Sequence, residues 1–297
     1  MDRLEAMAIL LKVADSGSFS AASRALRVPL ATVSRKVAEL EAHLGTRLLL
    51  RSTRRVALTD AGAAYIASAR RILEEVEEAE RLAAGEFEAP RGELVLTAPV
   101  LFGRLHLLPI VTEFLAAYPA INIRLLLADR NLHLIEDHVD MALRIGTLPD
   151  SRLVALRLGA MRMVVCASPA LLAGRAVTRP EDLAGLPVVS FGEAPVSSWA
   201  FRQPEGGSLD LAIRPRLSVT TAEAAVWAAR QGVGVTRVLH YQCAEAVREG
   251  ALAILLSEHE VAPLPVHLLH AGGALPSKTR VFVDFAAGRL RQRLAAL

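Results

Sequence analysis

Residues 18–45 read SFSAASRALRVPLATVSRKVAELEAHLG, and the organisation of the chain follows from how this stretch folds. Phe19, Ala22 and Leu26 share one face of a short helix that Ser18 or Ser20 can cap, because a hydroxyl there accepts from the free N–H groups of the first turn. The chain breaks at Val28-Pro29; proline is tolerated at a helix start, where its missing N–H would be unpaired anyway. A further helix turns Val33, Val37, Leu40 and Leu44 inward, with Gly45 placed to end it. Its outward residues are Thr32, Arg35, Lys36 and Glu39, with Ser34 at the edge. Two short helices joined by a tight turn, the second polar in its first turns, make a helix-turn-helix that offers hydroxyl and guanidinium groups to base edges and phosphates.

On the N-terminal side, Leu4, Met7, Ala8, Leu11 and Ala14 predict one apolar helical stripe that stops before Asp15-Ser16-Gly17. On the C-terminal side, residues 48–58 read LLLRSTRRVAL, two short extended segments around a basic tip. We read this as a wing, whose Arg51, Arg54 and Arg55 can reach the DNA backbone or the minor groove. The net charge of +3 is too small to name a nucleic acid as partner, but residues 1–60 hold ten basic side chains against six acidic ones. The plain alternative for Arg35 and Lys36 is a solvated helix face.

The run Phe19-Ser20-Ala21-Ala22-Ser23-Arg24-Ala25-Leu26, then Thr32-Val33-Ser34-Arg35-Lys36-Val37, Leu40-Glu41, Leu44-Gly45, Leu48-Leu49, Arg51 and Leu58-Thr59-Asp60-Ala61-Gly62, closely resembles the N-terminal signature of the LysR family. Weaker likeness continues in Ala98-Pro99, Phe102-Gly103, Arg144-Ile145-Gly146 and Gly232-Val233-Gly234. The resemblance implies a sequence-specific transcriptional regulator whose DNA contacts come from Pro29, Leu30, Ala31, Thr32, Ser34, Arg35 and Lys36 together with the wing arginines. Where relatives often place Gln or Ser at the turn, this chain has Pro29-Leu30-Ala31, which favours apolar contact with thymine methyl groups.

Thr59 can cap a long helix opening at Asp60, an acidic residue suited to the positive end of the helix dipole. Tyr65, Ala69, Ile72, Val76, Ala79 and Ala83 alternate steps of four and three, the register of a coiled-coil seam. Glu74, Glu75, Glu77, Glu78 and Glu80 would repel DNA, so this helix is expected to pair with its counterpart in a homodimer, and in a homotetramer beyond it. The alternative is a helix packed within its own monomer.

Beyond residues 85–92, apolar runs alternate with helical segments: 93–97, 121–128, 140–145, 161–167, 187–191, 211–219, 232–238, 251–256 and 265–270 read as strands. The fold class expected is α+β multidomain. Residues 1–59 form a winged helix-turn-helix, 60–89 a linker and dimerisation helix, and 90–297 an α/β effector domain with a largely parallel sheet. The LysR resemblance implies that this last part is similar to periplasmic solute-binding proteins, with subdomain I at about 90–164 and 269–297 and subdomain II at about 165–268. It implies a small-molecule co-inducer in the cleft between them, near Pro99, Val100, Leu101, Phe102, Arg144, Gly146, Thr147, Thr220, Thr221 and Arg237. Helix N-termini at the carboxyl ends of parallel strands suit such a crevice. Arg144 and Arg237 would favour an anionic or carbonyl-bearing effector; each could equally be a surface arginine.

Hydrophobic residues at 53% and charged ones at 22% fit a chain folded throughout. Cys166 and Cys243 lack CxxC spacing, which gives no disulfide framework and no zinc pattern, and a cytoplasmic location fits. Cys243, near a helix start, is a candidate reactive thiol. No run approaches the roughly 18 apolar residues of a membrane span. His267 and His270 fall on opposite faces of one extended run, so a shared metal is not expected. No convergent catalytic set is visible, so we expect no enzyme activity and no cofactor beyond the co-inducer, with double-stranded DNA and RNA polymerase as partners and no membrane. The competing readings are a metabolic enzyme and a secreted solute-binding protein.

Overall fold

A computed structural model describes residues 2–51, 56–83, 89–130, 132–134, 136–192, 196–203, 205–273 and 275–297. The chain divides into two compact units, Met1–Gly92 with Pro276–Lys278, and Glu93–Leu275 with Thr279–Leu297.

In the first unit, α1 (Arg3–Ser16), α2 (Phe19–Leu26) and α3 (Leu30–Leu44) precede the strands β1 (Leu49–Arg51) and β2 (Val56–Leu58) and the long helix α4 (Asp60–Ala83). Asp2 caps α1, and the Ser18 side chain accepts from Ala21 N–H at 3.4 Å to cap α2. Gly45 ends α3 at φ +66°, a conformation that costs a side-chain-bearing residue about 1 kcal/mol or more. Ala22, Val33, Val37 and Leu40 form the core as expected, whereas Leu44 is exposed. The stripe on α1 lies elsewhere than expected: Ala6, Ile9, Leu10 and Val13 are buried, and Leu4 is exposed. Nearly every position from Ala6 to Ala14 is apolar, so spacing alone could not select the buried face. β1 and β2 pair antiparallel, with Leu49 opposite Leu58 and Arg51 opposite Val56.

The second unit opens with β3 (Gly92–Ala98) and one helical run made of α5 (Val100–Phe102), a π turn (Gly103–Leu107) and α6 (Leu108–Ala117). This run, Val100–Ala117, is long and apolar enough to cross a membrane by length and composition, against the sequence expectation. Here Leu101, Phe102, Leu107, Ile110, Val111 and Phe114 are buried against a sheet. β4 (Ile121–Leu127), β5 (Met141–Ile145) and β6 (Val154–Met161) follow, and then β7 (Met163–Ala167), α7 (Pro169–Leu172), β8 (Val188–Phe191), β9 (Ser198–Arg202), β10 (Ser208–Ala212), β11 (Pro215–Val219), α8 (Ala222–Arg230), β12 (Val235–Leu239), α9 (His240–Arg248), β13 (Ala253–Leu255), β14 (Leu264–His270) and α10 (Ser277–Ala295).

Two five-stranded sheets result, ordered β4-β3-β5-β14-β6 and β11-β8-β12-β7-β13. They are mixed rather than largely parallel: β14 runs antiparallel to β5 and β6, and β7 antiparallel to β12 and β13. The chain passes between the sheets at Arg162 and returns before Leu264, so the crossings fall earlier than 165 and 269. The first crossing hides in the sequence because residues 161–167 look like one strand, whereas Met161 ends β6 in one sheet and Met163 begins β7 in the other. α6 and α10 cover one face of the first sheet, with Phe114 edge-on to Phe282 at 4.9 Å. α8 and α9 pack one face of the second sheet through Val226, Ala229, Cys243 and Ala246. The β9–β10 hairpin supplies Trp199 and Phe201 to the core on its other face.

Candidate DNA interface and effector cleft

The first turns of α3 present Pro29, Leu30, Ala31 and Arg35 to solvent, with Thr32 and Ser34 half-buried beside them. Arg35 leans on Glu39 at 3.2 Å, an exposed i,i+4 pair worth about 0.3–0.5 kcal/mol and readily exchanged for a phosphate or base. Lys36 does not point outward as expected; its side chain is mostly covered and pairs with Glu5. The reason is its position one residue past the exposed face of α3, over the start of α1. Arg51 is the last residue of β1, and Arg54 and Arg55 lie outside the described residues.

A residue that sequence reasoning used only as a family match holds the wing in place. Glu41 on α3 accepts from the backbone N–H groups of Leu48 at 2.8 Å and Leu49 at 3.0 Å, fixing the entry to β1 against the recognition helix. Hydrogen bonds to a charged acceptor contribute about 1.5–3 kcal/mol each. Thr59 does the same for the exit: its hydroxyl donates to Arg47 O at 2.8 Å and accepts from Gly62 N–H at 2.9 Å, capping α4. The signal for both was present in the quoted signature, at Glu41 and at Thr59-Asp60-Ala61-Gly62.

The expected seam on α4 divides in two. Ala69 is fully buried, the half-buried Tyr65 and the buried Ile66 pack on the core of their own unit, and Arg70 reaches Asp15 at 2.7 Å. Ile72, at 40% exposure, begins the uncovered part, followed by the half-buried Val76 and the exposed Ala79 and Ala83. The alternative of packing within the monomer therefore describes the first half, where Tyr65 and Ile66 join the apolar core that α1 contributes to.

In the second unit the expected effector residues fall into separate places. Pro99 precedes α5, and Val100 N–H donates to Asp129 at 3.0 Å. Leu101 and Phe102 are buried in the core of the first sheet, so their side chains do not line a cleft. Thr220 and Thr221 are exposed, and Thr221 caps α8 by accepting from Ala224 N–H at 3.2 Å. Glu223, in the first turn of α8, meets Arg104 from the π turn at 2.7 Å, which sets the start of α8 opposite the end of α5. Deeper in, Tyr241 of α9 lies edge-on to Phe102 at 5.5 Å and close to His106. Burial pushes the Tyr241 hydroxyl up and holds His106 below its ordinary value, with Arg293 adding to the latter.

Arg237 stacks over Phe201 at 5.5 Å inside the second sheet's subdomain. Arg144, Gly146 and Thr147 line a cavity made by first-sheet residues alone, whose walls include neither Val100 nor Thr221. Burial lowers the affinity of both guanidinium groups for the proton. One contact between the two crossings was not foreseen: Arg162, at the first, grips Glu260, at the second, through two bonds of 2.8 and 2.6 Å. A charged residue interrupting the apolar run 161–167 was its only sequence signal. Cys243 is fully buried rather than accessible, its thiol donating to His240 O at 3.4 Å. A hydrogen bond to the Cys243 sulfur, together with burial, pushes the Cys166 thiol up, both cysteines being free. Among the described residues no group of three or more His, Cys, Asp and Glu is placed to hold a metal ion.

A recognition helix with a wing, carried on a long helix and followed by a two-sheet ligand-binding unit, defines a DNA-binding regulator with its own sensory domain. Residues 4–63 match the bacterial regulatory helix-turn-helix protein, lysR family, and residues 87–291 match the LysR substrate binding domain. The chain belongs to the LysR family of transcriptional regulators, whose members bind DNA and form oligomers. It is 37% identical to an HTH-type transcriptional regulator of Xanthomonas campestris pv. campestris, over 95% of this chain and 84% of that one. It is 33% identical to an HTH-type transcriptional repressor of Pseudomonas aeruginosa, over 96% and 91%. Among solved structures it is similar to CrgA, a LysR-type transcriptional regulator from Neisseria meningitidis, at 32% identity and a TM-score of 0.55, covering 98% of this chain and 96% of that one.

Proposed function

We propose that a small-molecule co-inducer, seated between the two sheets of the second unit, sets how this regulator occupies its promoter. The observation that carries the reading is the Arg104–Glu223 ion pair, which brings the capped N-terminus of α8 opposite the α5 turn. Free N–H groups at such a helix start suit an anionic or carbonyl group, and an exposed ion pair worth about 0–1 kcal/mol does not lock the two subdomains in one arrangement. A ligand that prefers one arrangement shifts the population toward it, and that preference is all the control the mechanism requires. The side chains we assign to this cleft are Val100, Arg104, Thr221 and Glu223. The DNA-binding assignment rests on Leu30, Ala31, Thr32 and Arg35, and dimerisation on the uncovered half of α4. The protein acts in the cytoplasm, without enzymatic activity, and its DNA-bound dimer contacts RNA polymerase.

The test is a gel-shift and footprint on the DNA upstream of the chain's own gene, followed by a reporter screened with small carboxylates and aromatics. Specific retardation at low salt is expected, and Thr221→Val is expected to keep operator binding while losing the response to a ligand found in the screen. Absence of specific retardation, or a full response in Thr221→Val, refutes the respective part.

A further inference from the structure

Arg144 stands on β5, nine-tenths buried as a residue, with no acidic partner among the described residues. It donates to the carbonyls of Leu132 at 3.0 Å and Leu143 at 3.4 Å, which occupies two of its five N–H groups and leaves its charge uncompensated. A buried cation is costly unless it is paired. The flanking strands repeat the deficit. Thr97 on β3 pairs with Ala142, two residues before Arg144, and His267 on β14 lies directly opposite Arg144. Alternation puts both on the Arg144 face of the sheet, and Thr97 Oγ1 and His267 Nδ1 are each buried without a hydrogen-bond partner.

Above this face, the loops following β4 and β5 border a half-open cavity of about 510 Å³ whose walls include Leu134, Leu148, Leu153 and Leu269. Asp150, at its rim, is exposed and makes no ion pair with Arg144. Every lining residue belongs to the first sheet's subdomain, so the cavity is not the cleft assigned to the co-inducer. Its size falls in the range of small-molecule sites, about 300–1,000 Å³.

We propose that this cavity is a second ligand site, which takes a small carboxylate with a hydrocarbon body seated on Arg144. The carboxylate supplies the missing negative charge and accepts the guanidinium's free N–H groups, and the leucines cover the hydrocarbon. The site does not depend on the cleft reading.

The experiment is isothermal titration of the full-length protein with butanoate, benzoate and 3-phenylpropanoate, each beside its uncharged amide. Saturable binding is expected for at least one acid, with its amide at least about tenfold weaker. Arg144→Gln removes the charge and is expected to abolish binding. Leu153→Trp keeps the charge, fills the cavity and is expected to do the same, which decides the matter if Arg144→Gln does not fold by near-UV circular dichroism. Thr221→Val is expected to leave the affinity unchanged, which separates this site from the co-inducer cleft. The proposal is overturned if no acid saturates below about 10 mM, if amide and acid bind equally, or if Leu153→Trp binds like the wild type.

Discussion

Gly62, in the first turn of α4, sits where a side chain has no room. A Cβ there would lie 2.0 Å from Leu48 O, 2.9 Å from its carbonyl carbon and 3.1 Å from its Cα, all backbone atoms of a buried residue. Ordinary contact begins at 3.4 Å, about 1.4 Å farther than the carbonyl oxygen allows, so either α4 or the entry to β1 must move. The Leu48 carbonyl also accepts from Thr59 N–H at 3.1 Å and from the Thr59 hydroxyl at 3.3 Å, and a shift strains both bonds. For Gly62→Ala, overpacking costs up to about 3 kcal/mol and the strained bonds about 1 kcal/mol, against a gain of about 1 kcal/mol from alanine's helix propensity. The net loss of about 3 kcal/mol should lower the melting temperature of the first unit by more than about 10 °C. Gly288→Ala is the control: this glycine is exposed in α10 with nothing near its Cβ position, so only propensity acts, and the second unit should gain about 0.5–1 kcal/mol. Both tryptophans, Trp199 and Trp227, lie in the second unit, so fluorescence melts report that unit alone, while hydrogen exchange of α3 and α4 amides reports the first. If Gly62→Ala leaves those amides equally or better protected, the close approach of α4 to β1 does not constrain the fold.

Ile72→Asp with Val76→Asp should dissociate the dimer by sedimentation, because unpaired charge buried in a helix interface costs several kcal/mol; an unchanged dimer places the interface elsewhere. Arg35→Ala should relax specificity at one base pair by about 1–3 kcal/mol in competition gel shifts, whereas equal weakening on every sequence would make Arg35 a phosphate contact. Burial holds His106 below its ordinary value near 6.5, so as pH falls through that value the unfolded chain takes up a proton the folded chain resists. The second unit should therefore lose stability from about pH 6.5 downward, and His106→Phe should flatten that slope in urea melts followed by tryptophan fluorescence.

The helix-turn-helix was legible because its signals are local. Ser18, Pro29 and Gly45 mark boundaries, and the spacing of Val33, Val37 and Leu40 names the buried face. The buried face of α1 was not legible, since an almost wholly apolar helix carries no contrast. In the second unit the strands were mostly visible, but β6 and β9 were missed and the end of β10 was merged with β11: Arg157 and Gly159 interrupt the apolar pattern of β6, and Ser198–Arg202 is a short hairpin strand with polar ends. Strand direction and the crossing at Arg162 depend on pairing across long separations, which local pattern does not encode. The effector residues were placed by analogy, and they separate because Leu101 and Phe102, in the helical turn after β3, are both buried in the core while Arg144 turns to the opposite face of its sheet. The Glu41 anchor and the Arg162–Glu260 pair are tertiary contacts between distant positions.

The division of α4 bears on how a regulator of this kind transmits a signal. Its first half is part of the DNA-reading domain, through buried Ile66 and Ala69 and the Arg70–Asp15 bond, and Thr59 and Gly62 lock its first turn to the wing. Its second half leaves Ile72, Val76 and Ala79 uncovered on the same continuous helix. A helix without a break between the two halves does not absorb rotation locally, so a change in how two such helices cross turns the attached recognition helices by the same angle. Half-sites about one helical turn of DNA apart tolerate little error in that angle. In a dimer paired through this uncovered stretch, as proposed above, a small change in helix crossing would become a change in operator fit, with no rearrangement inside the DNA-reading domain.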